Sequence, residues 1–387
     1  MESAKQVIII GTGPAALMAG TLLLERGHAV TFYEQKKAAG RKFLVAGHGG
    51  FNLSNRIDQP AFLEMYDREE IREMVRAFDV DDLVAFLDKI GIPTYIGSSG
   101  KVFPQVHIKP IDVLNAWLAY LKRLGATFLF GCQMVDFDAD MVTLLVEGNE
   151  ETKAYDRLVL ALGGASWSKT GATGKWLELF RGKGIEVVPF EASNAGFEIA
   201  LPEAVRAFEG QPVKHVACYL GQKEKYGELV VTQYGFEGAP VFYLNGAFRQ
   251  GNKALLLDAK PGFSLEKIIH ILEQAKNPTE GLKQLKIAKA LVAYIKHKLR
   301  KEEFLDRHFL GQFIKRIPFT IEALRPVDEA ISTVGGVPFS ALNNDLSLKQ
   351  FPAVYCCGEM MDWDAPTGGY LLQACFASGA WVGSMIK

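Results

Sequence analysis

The feature that most constrains this chain is the hexapeptide Gly11-Thr12-Gly13-Pro14-Ala15-Ala16, placed directly after the run Val7 to Ile10. A continuous β-branched run fits a parallel strand buried on both faces. Leu17, Met18, Ala19, Leu22, Leu23 and Leu24 then form a helix-compatible run that Gly27 stops, and His28 to Tyr33 reads as a second strand closed by Glu34. Each part has a physical role in a dinucleotide-binding βαβ unit. Gly11 permits the tight turn out of the strand, and Gly13 lets a pyrophosphate approach the backbone. Pro14, Ala15 and Ala16 open the helix, and Ala16 stands where a third glycine usually permits close helix–strand packing. The free N–H groups and positive end of the helix favour phosphate. Glu34, 23 residues after Gly11, is placed to accept adenosine ribose hydroxyls, with Gln35 beside it. A glycine-rich turn in some other α/β protein has the same bare motif.

Three later segments favour FAD over a nicotinamide cofactor alone. Gly40-Arg41-Lys42 precedes a flexible run, Ala46 to Asn55, that includes His48, Gly49 and Asn52. Small residues suit a backbone passing close to a flat ligand, and Arg41 and Lys42 suit phosphate; an ordinary basic surface turn has the same composition. Tyr155 to Leu162 reads as a strand ending in Gly163-Gly164, returning to the cofactor edge. Ala353 to Cys357 reads as a strand, followed by Gly358-Glu359-Met360-Met361-Asp362, then by Gly368-Gly369-Tyr370, then by a helix from Leu371 to Ile386 rich in small residues. Glu359 is placed to bond a ribityl chain. The N–H groups near Gly369, Tyr370 and Leu371 are placed to donate to the flavin O2 edge, where reduction builds negative charge. A buried strand–turn–helix touching no ligand is the alternative, and Asp362 and Asp364 then become caps of the last helix.

Composition narrows the setting. The 387 residues are 49% hydrophobic with a formal net charge of −1, enough for a sizeable core and without a global signal for nucleic acid or membrane. Five cysteines with no CxxC spacing argue against a disulfide framework, a zinc site or a dithiol motif, and Cys356-Cys357 reads as two small buried hydrophobes. The first apolar run is too short for a signal-peptide core or a membrane span, so a cytoplasmic location is expected.

These residues resemble the BaiN/RdsA family of NAD(P)/FAD-dependent oxidoreductases, also labelled aminoacetone-oxidase-like flavoproteins, over essentially the whole chain. The carriers are Gly11 to Ala16, Gly40 to Asn55, Ala161 to Ser166, Gly335-Gly336-Val337 and, most specifically, Gly358 to Tyr370. The resemblance implies FAD in a two-part Rossmann-like α/β domain and an inserted α+β domain with a β-barrel-like part and a small helical part. It also implies reduction of carbon–carbon double bonds, in a steroid-like acid or a ribosomal RNA uridine, and a Val135 whose backbone touches the adenine. The family's Gly-Gly-Gly-Arg-Cys-Asn loop is Gly47 to Asn52 here, with Gly50 and Phe51 for arginine and cysteine. Gln233 replaces the histidine of Thr-His-x-Gly. With Trp167 and Trp363, these differences mark a distinct subfamily.

The expected domains are residues 1–190 with 326–387 for FAD, and 191–325 as the insertion, β-rich over 191–263 and helical over 264–325. Val241 to Leu244 is among the expected short strands. Lys283 to Lys301 carries seven basic and no acidic residues, which suits either a solvated helix face or an RNA-docking helix. The expected activity is hydride transfer from NAD(P)H through the flavin to a substrate double bond. A small-molecule substrate leads over RNA, and a non-catalytic flavin-binding protein is a third reading. Carbon–carbon reduction needs a proton donor, for which His48, Tyr370 and Tyr234 are the candidates. No metal-ligand cluster is read, and nothing in the sequence fixes the oligomeric state.

Overall fold

The computed structural model describes residues 4–45 and 51–387. These fall into two compact units, one running to Glu191 and resuming at Ser332, the other spanning Ala192–Ile331.

The first unit is built on a parallel sheet. β1 (Gln6–Ile10), α1 (Pro14–Glu25) and β2 (Ala29–Glu34) form the βαβ unit, and α2 (Arg41–Val45) follows. β3 (Thr127–Phe130) leads into an antiparallel three-stranded layer of β4 (Cys132–Phe137), β5 (Met141–Val146) and β6 (Asn149–Ala154). β7 (Arg157–Leu160) and β8 (Val354–Cys356) complete the parallel sheet, whose order is β8-β7-β1-β2-β3. Its central strands are buried on both faces, which is why Val7 to Ile10 and Leu158 to Leu160 are uninterrupted apolar runs. This is a Rossmann-type α/β architecture with an α+β insertion in the chain.

The last helix, α3 (Tyr370–Met385), lies against α1. Small residues set this contact. A Cβ at Gly379 would collide with the Ala15 carbonyl oxygen, and one at Gly383 would stand 2.8 Å from that of Ala19. The small-residue stripe of the last helix is therefore a packing surface that brings the two ends of the chain together.

The second unit carries seven strands in one antiparallel sheet, running from Phe197–Glu198 to Ala323–Leu324. Three details differ from the sequence expectation. Residues 241–244 lie in a helix, Ala239–Arg249, because Gly238 at φ +114° turns the chain and Pro240 sits in the first turn; a four-residue apolar run has no period of its own. Residues 264–325 end in two strands, Ile317–Thr320 and Ala323–Leu324, which join opposite edges of the sheet. The basic segment is three short helices, Pro278–Gln284, Lys289–Lys298 and Lys301–Leu305, broken where Lys286 takes φ +53° and where Leu299 and Arg300 are extended.

Candidate functional site

The carboxyl ends of β1, β2 and β7 open onto one cavity of about 720 Å³, the place where open parallel sheets receive extended ligands. Gly11 leaves β1 at φ +104°, and a Cβ on it would stand 2.5 Å from the Ala161 carbonyl oxygen. Gly13 differs: its φ is −78° and nothing lies within 4 Å of a Cβ built there. Gly11 is glycine for the turn, whereas Gly13 faces open cavity. No side chain caps α1, its first turn holds no acidic residue, and Leu17 N–H is bonded back to the Gly13 carbonyl. The cavity is thus met by the positive end of a helix.

Glu34 is held in place before any ligand arrives. The Thr12 hydroxyl donates to one carboxylate oxygen at 2.6 Å and the Lys36 N–H to the other at 2.8 Å. Each oxygen keeps a lone pair for a further donor. Opposite, the β4–β5 ladder slips register between Met134 and Asp136, which leaves Val135 without a partner across the ladder. Val135 lines the cavity at this bulge, a place where backbone groups are released from pairing.

Gly11, Gly13, Pro14, Ala15, Ala16, Glu34, Gln35, Gly40, Arg41, Lys42, Val135, Gly163, Gly358 and Glu359 all line this one cavity. Sequence reasoning missed the segment Thr170 to Thr173 with Lys175 and Trp176, which forms another wall. Gly171 at φ +118° and Gly174 at φ +66° were the only local signal for it. Cys132, Cys357 and Cys375 were also missed as lining. Burial pushes all three thiols up, Cys375 to about 12, so they present neutral S–H groups.

Asn52, Asp362, Gly369, Tyr370 and Leu371 are not among the residues lining the cavity. His48 and Gly49 lie outside the described residues. Asp362 accepts from the Arg68 guanidinium at 2.5 Å and from the Gly335 N–H at 3.1 Å, and so braces the turn before α3. It does not cap α3, whose N-cap is Gly369 with no side-chain bond. Around that helix start, buried polar atoms lack hydrogen-bond partners: Asn52 Nδ2, Ser54 Oγ, Asn55 Oδ1 and Gln373 Oε1. Unsatisfied buried groups are costly and point to a missing polar partner. Tyr370 itself packs against Phe62 and Tyr66. In the second unit, the Tyr234 hydroxyl donates to the Glu237 carboxylate and the Arg325 guanidinium lies 4.3 Å from its ring centroid. Burial holds both tyrosines protonated well above neutral pH, with Glu237 adding to the effect at Tyr234.

A glycine turn, an uncapped helix start, a preset carboxylate and a cavity along one sheet edge define a Rossmann-type α/β protein that takes an extended ligand. Residues 5–385 match the family described as HI0933-like protein Rossmann domain, and the chain belongs to that family, the BaiN/RdsA-type flavoprotein oxidoreductases whose motifs it carries. Among its relatives, the ribosomal RNA dihydrouridine synthase of Haemophilus influenzae is 23% identical over 394 residues, covering 98% of this chain and 97% of that protein. The 3-dehydro-bile acid delta(4,6)-reductase of Clostridium scindens is 24% identical over 395 residues, covering 96% of both. Among solved structures, the 3-ketosteroid-Δ4-(5α)-dehydrogenase of Rhodococcus jostii RHA1 superposes with a TM-score of 0.53 at 14% identity, over 99% of this chain and 95% of that one; this is a likeness of fold. No helix among the described residues is long and apolar enough to cross a membrane.

Proposed function

We propose that this protein is an FAD-dependent oxidoreductase that uses NAD(P)H to reduce a carbon–carbon double bond in a small molecule. In this reading residues 1–190 and 326–387 form the FAD domain and 191–325 the insertion. The observation that carries it is the continuity of the cavity from Glu34, past Gly11 to Ala16, to Gly358 and Glu359. Two features fit the cofactor. In the lining, Gly13 leaves open space where a pyrophosphate needs to touch backbone, and outside it the orphaned Ser54 and Asn55 atoms offer unmet polar capacity at the start of α3. FAD when bound supplies the two-electron carrier between NAD(P)H and the substrate.

The chain's own groups do the rest. Glu34 accepts the ribose hydroxyls, the first turn of α1 meets the diphosphate, and Val135 presents free backbone to the adenine. Gly369, Tyr370 and Leu371 supply the positive end of α3. His48, Tyr370 and Tyr234 are the candidate proton donors. Both the C. scindens reductase and the H. influenzae synthase carry names for double-bond reduction or its product, which supports the reaction class. The test is anaerobic mixing of the flavin-loaded protein with NADH and with NADPH. Bleaching of the flavin band with one of them is expected, and an unchanged band with both removes pyridine-nucleotide dependence.

A second reading, an RNA substrate, draws on one observation. Lys283, Lys286, Lys289, Lys296, Lys298, Arg300 and Lys301 are all exposed, on the three short helices and in the breaks between them. An RNA that docks there loses affinity and salt dependence when Lys286, Lys289 and Lys296 become alanine; unchanged binding returns the patch to ordinary surface.

A further inference from the structure

We propose that Lys42 is a positioning residue: its ammonium neutralises Glu359 and anchors the cavity wall from Gly163 to Gly174. The proposal rests on the FAD reading above. An ammonium has three donors. At Lys42 the contacts are Ser166 Oγ at 2.6 Å, Glu359 Oε2 at 2.7 Å and Glu359 Oε1 at 3.1 Å. The two Glu359 oxygens belong to one carboxylate and share an N–H, so the ammonium is committed to Ser166 and Glu359 before any ligand arrives.

Four chain segments meet around the Lys42–Glu359 ion pair. Lys42 comes from α2, Ser166 from the cavity wall, Glu359 from the turn after β8, and Thr333 from the strand Ser332–Gly336, whose N–H donates to Glu359 Oε1 at 3.1 Å. Thr333 also receives the Ala165 N–H at 3.4 Å, and a Cβ at Gly164 would collide with its hydroxyl. The wall's other ties include Gln35 to the Gly171 carbonyl at 2.8 Å and Trp176 to the Gly163 carbonyl at 3.0 Å. The Glu359 side chain is only 15% exposed and lines a cavity suited to a diphosphate. A carboxylate there without its cation would repel the ligand that the cavity is shaped to take. Lys42 thus lets Glu359 serve as a hydroxyl acceptor without making the cavity anionic.

This predicts a change of sign in a mutant cycle, read as FAD dissociation constants. Lys42→Met weakens FAD binding by about 30-fold, because it exposes the Glu359 charge, and Glu359→Gln alone by about fivefold, because it removes an acceptor. Adding Glu359→Gln to Lys42→Met strengthens binding relative to Lys42→Met alone. Lys42→Arg restores affinity to within roughly threefold of wild type, since the cation is kept. The wall is tested without flavin: trypsin cleavage after Lys169 and Lys175 in the apoprotein rises about fivefold or more in Lys42→Met and in Ser166→Ala, which leaves the charge pair in place. Independent losses in the double variant, or a Lys42→Met within twofold of wild type, overturn the neutralising role. Unchanged cleavage in both single variants overturns the anchoring role. A wild-type protein that binds no FAD sinks the cofactor reading instead, and the cleavage arm still decides the anchor.

Discussion

The two glycine turns that open α1 and α3 look alike in sequence and differ in what surrounds them. Each follows a strand of the same parallel sheet and leads into a helix of small residues, and the two helices pack on each other. At the front turn, Gly13 faces open cavity, with no atom within 4 Å of a Cβ position. At the rear, Gly369 is pressed on the Ser54 backbone at φ +101°, and Ser54 Oγ and Asn55 Oδ1 beside it are buried without partners. The front turn is a preformed cradle. The rear turn is a tightly packed joint with unpaired polar side-chain atoms beside it. Similar glycine starts give an open cavity wall in one place and a packing constraint in the other, and only the third dimension separates them.

Alanine at the two glycines breaks this comparison most directly. Gly369→Ala places a Cβ into the Ser54 backbone in a left-handed conformation, a change expected to cost about 3 kcal/mol or more and to lower Tm by roughly 4 °C or more. Gly13→Ala meets no atom and keeps an extended φ. Its stability should stay within about 1 kcal/mol of wild type, while FAD affinity falls by roughly 10- to 100-fold, or about 1.4–2.7 kcal/mol. Thermal melts and flavin titrations of the two apoproteins check both. Equal losses of stability would erase the distinction between cradle and joint.

A smaller effect concerns the thiols between the two turns. Burial raises Cys356, Cys357 and Cys375 above the ordinary thiol value of 9.0, Cys375 to about 12. A group raised on folding contributes stability that is whole below its unfolded value and is lost as pH climbs through the folded one. Unfolding free energy should therefore hold up to about pH 9 and decline above it. Cys375→Ser should make that alkaline decline shallower. A decline as steep as wild type would assign the pH dependence to other groups.

Much of the first unit was legible because its signals are local. A β-branched run, two glycines with distinct duties and an acid at the end of the next strand lie within 28 residues, and all of them meet in the cavity. The wall from Thr170 to Trp176 was not legible, because it is joined to the site by long-range bonds such as Gln35 to Gly171. Lys42 was found at the cavity, but its acceptors Ser166 and Glu359 were not legible, since they are 124 and 317 residues away. In the second unit the apolar run at Val241 read as strand because four residues carry no period, and the break at Lys286 was hidden because a lysine gives no sign of a positive φ.

In the proposed reading, the cavity from Glu34 to Glu359 receives a whole flavin adenine dinucleotide. Titration of the apoprotein with FAD and, separately, with FMN measures this, since FMN lacks the adenosine half that Glu34 and Val135 would hold. The account predicts one FAD per chain, with FMN bound about 100-fold or more weakly. No flavin uptake, or equal affinity for FMN and FAD, would contradict it.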